Sequence, residues 1–130
     1  MKTSLRDCFK ISAGNGKHRV DLTAVISGED ITVIISGGEK PHVGAVAIAV
    51  PRPGIRDSGK ISSTSSVFTL SGHKDNEIAR PVSERIAKNL NRVTVVVAGV
   101  HVDKAHSRDI ELLLSNSMKC TQKLLAKFGA

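Results

Sequence analysis

Histidines gather where apolar runs of this chain end. Four of the five lie in or beside three polar segments: Gly37-Gly38-Glu39-Lys40-Pro41-His42, Ser71-Gly72-His73-Lys74-Asp75 and Val100-His101-Val102-Asp103, with His106 just beyond the last. His101 and Asp103 stand two residues apart, which on an extended chain puts imidazole and carboxylate on one side. That pairing suits a histidine oriented by a carboxylate, working as general base, hydrogen-bond donor or metal ligand. Asp103 could equally be a loop residue capping its own backbone. The segment from Ser71 to Asn76 leads from a strand into a helix, where unpaired backbone donors, a close-approach glycine at Gly72 and the cation of Lys74 would suit a phosphate. Gly, Asp and Asn before a helix are also ordinary turn and cap residues, and the spacing is not that of a Walker loop. Around Gly38 and His42, a glycine-rich turn is either a ligand-approach loop with His42 directed into a pocket or a hairpin whose glycines supply positive φ.

Other chemistries find less support. No G-x-S-x-G elbow occurs, neither cysteine has an identifiable base, and paired carboxylates for acid–base work are not evident. No catalytic residue is assigned, therefore, and no metal site, because no ligand spacing specifies one. Cys8 and Cys120 lack a second thiol at redox or metal spacing and are expected to be buried, reduced and inert. The net charge of +7 attracts anions of many kinds without choosing among them. Tyr and Trp are absent and Phe occurs only at positions 9, 68 and 128, so no aromatic ladder offers a base-stacking platform and nucleic acid is not an expected partner. No apolar run approaches the roughly 20 residues that span a bilayer. The N-terminal residues lack the apolar centre of a signal peptide, and the expectation is a soluble, cytoplasmic protein.

These segments need elements to hold them. Alternation and β-branched enrichment predict strands near Asp7 to Ala13, His18 to Ser27 and Asp30 to Ser36, joined as an antiparallel meander through Asn15-Gly16 and Gly28-Glu29. Val43 to Val50 is almost wholly apolar and reads as a central strand covered on both faces. Pro51 to Lys60 reads as one long basic loop, and Ile61 to Leu70 as a strand returning in a hairpin. Ile78, Val82, Ile86 and Leu90 then recur every fourth residue, predicting a helix in which Pro81 either makes a kink or marks the start. Val93 to Val100 is a buried strand by composition, with Gly99 allowing close backbone approach. A last helix is expected from an N-cap at Ser107, burying Ile110, Leu113, Leu114, Met118, Leu124, Leu125 and Phe128. Lys119, Lys123 and Lys127 repeat on another face, most simply as a solvated one. The order β-β-β-β-β-α-β-α describes one α+β domain over residues 1–130, a mostly antiparallel sheet packed on two helices.

Read together, the segments from Gly37 to Ala47, from Thr69 to Arg80 and from Val95 to Asp103 resemble the small D-subunit-like proteins associated with gallate decarboxylase, described as prenylated-flavin chaperones. That family is similar in turn to the dimeric proteasome assembly chaperones. The resemblance runs from about Ser36 to the end of the last helix. It implies a protein without independent catalytic activity that helps a UbiD-like decarboxylase acquire or mature prenylated flavin mononucleotide (FMN), itself a homodimer. It further implies that His73 and Lys74 lie on the phosphate side of prenylated FMN or FMN, with His42, His101 and Asp103 nearer the ring or ribityl chain, and that Gly38 and Gly72 also belong to the cofactor site. The alternatives are a homodimeric interaction module that binds no cofactor and an accessory subunit completing a decarboxylase site.

Overall fold

The computed structural model describes residues 7–70 and 75–130, and within them the elements follow the expected order. Strands β1 (Cys8–Ala13), β2 (Val20–Ser27) and β3 (Asp30–Gly38) form the meander, β4 (Ala45–Pro53) and β5 (Ile61–Thr69) form the hairpin, and β6 (Thr94–His101) lies between helices α1 (Asn76–Leu90) and α2 (Ser107–Lys127). The sheet order is β1-β2-β3-β6-β4-β5. Insertion of β6 between β3 and β4 makes one parallel pair, β3 with β6, in an otherwise antiparallel sheet. The ends of β3 and β6 therefore come together, Gly38 opposite His101.

Both helices cover one face. Val20, Leu22, Ala24 and Ile26 of β2 alternate inward with Ile31, Val33 and Ile35 of β3, meeting Leu113, Cys120, Leu124 and Leu125 of α2. Under α1 the sheet presents small residues instead, Ala45, Ala47 and Ala98, which allow Ile78, Ala79, Val82 and Ile86 to pack closely.

Several expectations change. β4 is not covered on both faces: Ala45, Ala47 and Ala49 point inward, while Val46, Ile48 and Val50 remain 36%, 44% and 48% exposed on the face without helices. Regular pairing extends into the expected loop as far as Pro53, leaving residues 54–60 as the turn. Prolines are accommodated because β4 pairs with β6 only as far as Ala49, so Pro51 and Pro53 need no ladder donor on that side. The N-cap of α2 is His106, not Ser107; the Asp109 carboxylate accepts a hydrogen bond from the His106 backbone N–H at 2.8 Å. Cys8 is exposed rather than buried, since it occupies an outward position on the edge strand β1.

On α2, Ile110 is 40% exposed and Leu114 only half-buried, while Asn116, Ser117 and Thr121 are buried in their place. Ser117 and Thr121 hydroxyls satisfy themselves by donating to carbonyls one turn back. The lysine face behaves as an amphipathic surface: Lys123 donates to the Ser12 carbonyl and Lys127 lies over the Phe9 ring. Helix α1 runs through Pro81 from a start five residues earlier. No helix among the described residues is long and apolar enough to cross a membrane.

Candidate functional site

Three chain segments converge where β3 and β6 end and α1 begins. Asp75, the N-cap residue of α1, is 4% exposed. Its Oδ1 accepts from the Val100 N–H at 2.9 Å, and its Oδ2 lies 3.1 Å from His42 Nε2. A buried carboxylate needs such partners, and here they join β6, the loop after β3 and the helix start. His42 Nδ1 is 3.0 Å from the Lys40 carbonyl. The ring thus bridges a backbone carbonyl of its own loop and the side chain that caps α1.

Two glycines make the convergence possible. A Cβ at Gly99 would overlap the His42 carbonyl oxygen, and one at Gly44 would overlap the Asp75 carboxylate. The expected close approach at Gly99 is thus realised, with the loop carrying His42 laid directly across β6. Backbone bonds fix that loop further: Glu39 N–H donates to the His101 carbonyl at 2.7 Å, and Gly44 N–H to the Ala98 carbonyl at 2.9 Å. Gly38 has φ +76°, and its missing side chain leaves room for the His101 backbone.

His101 and Asp103 pair as their spacing predicts, Nε2 to Oδ1 at 3.0 Å. Lys40 Nζ reaches the same oxygen at 3.1 Å. Its hydrogen bond, followed by that of His101, holds the Asp103 carboxyl below its ordinary range. An ionised Asp103 accepts, so the hydrogen of this bond lies on His101 Nε2 and the carboxylate fixes the orientation of the ring. The His42 and His101 rings stand edge to face, 6.3 Å apart.

Beside His101 opens a crevice of about 300 Å³ between α1, the end of β6 and the first turns of α2. Ile78, Val100, Val102, Leu113 and Leu114 wall it, while Asp75, Glu77, His101 and Lys104 supply polar edges. Apolar walls with a few placed polar groups are the usual form of a small-molecule site.

Of the residues singled out from the sequence, Gly38, His42, His101 and Asp103 are brought together here; Gly72, His73 and Lys74 lie outside the described residues. Asp75 and Lys40 were missed as site residues. The signal for Asp75 was its place immediately before a helical period, where an aspartate reads as a cap; nothing local linked it to His42, 33 positions away. No group of three or more His, Cys, Asp or Glu side chains among the described residues is arranged to hold a metal ion.

Residues 14–129 match the prenylated flavin chaperone LpdD-like domain. The chain belongs to that family. It is 29% identical over 87 residues to Protein LpdD of Lactiplantibacillus plantarum (strain ATCC BAA-793 / NCIMB 8826 / WCFS1), a match covering 67% of this chain and 60% of that relative's length. The fold is shared with a chain from the crystal structure of a chaperone complex for yeast 20S proteasome assembly, with a TM-score of 0.54 at 16% identity over 94% of this chain and 95% of that one. The expected kinship with proteasome assembly chaperones is therefore a likeness of fold.

Proposed function

We propose that this chain binds prenylated FMN where α1, β6 and α2 meet and delivers it, in the cytoplasm, to a UbiD-like decarboxylase, without catalysing decarboxylation itself. The observation that carries the reading is the Asp103-oriented His101 at the edge of an apolar crevice, in a chain of the prenylated flavin chaperone family. The residues fit such a cofactor chemically. A flavin has an extended apolar body and a polar heteroatom edge; the crevice has apolar walls, and His101, oriented by Asp103, places a hydrogen-bonding ring at its margin. In this reading His42 and Gly38 shape the floor behind His101, while Gly72, His73 and Lys74 receive the phosphate. Bound flavin supplies the redox-active ring; the protein contributes binding, orientation and shielding from water.

The test is transfer. The protein, loaded anaerobically with prenylated FMN and freed of excess, is mixed with an apo UbiD-like decarboxylase. The flavin absorbance should move to the enzyme fraction, which gains activity; cofactor that stays with the loaded protein, or never binds to it, contradicts the proposal.

A homodimer belongs to the same reading. On the helix-free face, Ile34, Val97, Val46 and Phe68 lie in register across four strands, with Val95 and Ile48 in the next row. Phe68 is 72% exposed and Ile34 47%. Across these four strands neither row carries a charge, so the two rows can meet their counterparts in a second copy without burying an unpaired ion, as a two-fold interface requires. We assign this face to the second copy. Sedimentation should give a dimer for the native chain and a monomer for Ile48→Asp; a native monomer at micromolar concentration contradicts it.

A further inference from the structure

We propose that the crevice walled by Ile78, Val100, Leu113 and Leu114 is the specificity pocket for the apolar five-carbon addition that distinguishes prenylated FMN from FMN. The inference rests on the cofactor reading above and deepens it, by assigning one part of the ligand to one part of the site. Three observations carry it.

Size is the first. At about 300 Å³ the crevice lies at the small end of small-molecule sites, suited to a portion of a flavin nucleotide rather than the whole. Wall chemistry is the second. Ile78, Val102 and Leu113 are 5%, 4% and 4% exposed, so the interior is formed by well-packed aliphatic side chains of α1, α2 and the chain just after β6. Of the two carboxylates that line it, Asp75 is already held by Val100 N–H and His42, and Glu77 is exposed to solvent, so the interior itself is aliphatic. A saturated hydrocarbon group suits such a space better than a phosphate or a ribityl chain, whose hydroxyls would face aliphatic walls without partners.

The third is the exposure of Ile110. It lines the crevice yet remains 40% exposed one turn into α2, where the helix pattern calls for a buried residue. An isoleucine at the mouth has apolar surface left to cover, and an aliphatic ligand group entering beside it would cover that surface.

Each buried methylene contributes about a fourfold gain in affinity. After ordering costs, the five-carbon group should give a preference for prenylated FMN over FMN of roughly 100-fold. The test measures dissociation constants for both flavins anaerobically, by absorbance and by calorimetry, in the native protein, Ile110→Asp and Leu114→Gln. Ile110 is exposed, so its replacement leaves folding intact; melting curves check both variants. The expected result is that preference falls at least about tenfold in each variant, because binding of prenylated FMN weakens more than binding of FMN. If the native protein binds both flavins equally, or the variants keep the full preference, the crevice is not the specificity pocket although the protein remains a flavin carrier. If the native protein binds neither flavin, the cofactor reading itself fails and this assignment with it.

Discussion

Two imidazole–carboxylate pairs flank the start of α2, and their difference separates scaffold from site. His18 Nε2 lies 2.7 Å from Asp109 Oδ1, while Asp109 Oδ2 takes the backbone N–H of His106 and Lys17 stands 3.6 Å away. Asp109 is 7% exposed, and its oxygens are committed to holding the turn after β1 against the helix N-terminus. Across the helix, His101 and Asp103 make a bond of similar length, but both are substantially exposed and His101 borders the crevice. The same two residue types thus serve a structural cap in one place and an accessible hydrogen-bonding edge in the other. Neighbours decide, not the pair.

The largest effect should come from the backbone contact that seats the His42 loop on β6. Gly99→Val places a side chain into the His42 carbonyl, and is expected to cost about 3 kcal/mol or more, seen as an early unfolding transition in urea. Native stability in this variant would mean that the loop carrying His42 is free to move off β6. Next, Asp109→Asn should destabilise the protein, whereas Asp103→Asn should leave its melting temperature essentially unchanged. Equal losses would erase the distinction between the pairs.

Acid unfolding sharpens the same contrast. Hydrogen bonds from His18 and then His106 bring the Asp109 carboxyl from an ordinary 3.8 down to about 2. A depressed carboxyl contributes stability that is complete above the ordinary value and disappears as pH falls through the folded one. Stability of the native chain should therefore decline between about pH 4 and 2 in part through this group, and Asp109→Asn should flatten that limb of the curve. An unchanged limb would show that Asp109 is not held as described.

The smallest expected effect concerns the thiols. Burial pushes Cys120 up to about 11, while Cys8 is exposed on the outer face of β1. One thiol per chain should react with an aromatic disulfide reagent at neutral pH, and two after denaturation. Rapid labelling of both in the native protein would contradict the packing of α2 on β1 and β2.

Much of this was legible along the chain, because alternation, four-residue periodicity and the His101-Val102-Asp103 spacing are local. The element order and the pairing of that motif follow from such signals. What escaped was set by distant contacts. His18 and Asp109 are 91 residues apart, and neither stands in a recognisable pattern with the other. The covering of β4 was misjudged because Ala45 to Val50 reads as uniformly apolar, although its small and large residues alternate. The alanines face α1 at close range and the larger side chains face outward, so size carried the signal that polarity lacked. Insertion of β6 beside β3 likewise follows from long-range pairing, and it is this insertion that brings Gly38, His42, Asp75 and His101 together.

The measurement that bears most directly on the central claim is an anaerobic titration of native protein, His101→Ala and His18→Asn with prenylated FMN. Saturable binding that weakens about tenfold or more in His101→Ala, and is unaltered in folded His18→Asn, is the predicted result. Binding that survives the loss of His101, or falls equally with His18, would contradict the assignment of the exposed pair and its crevice to the cofactor.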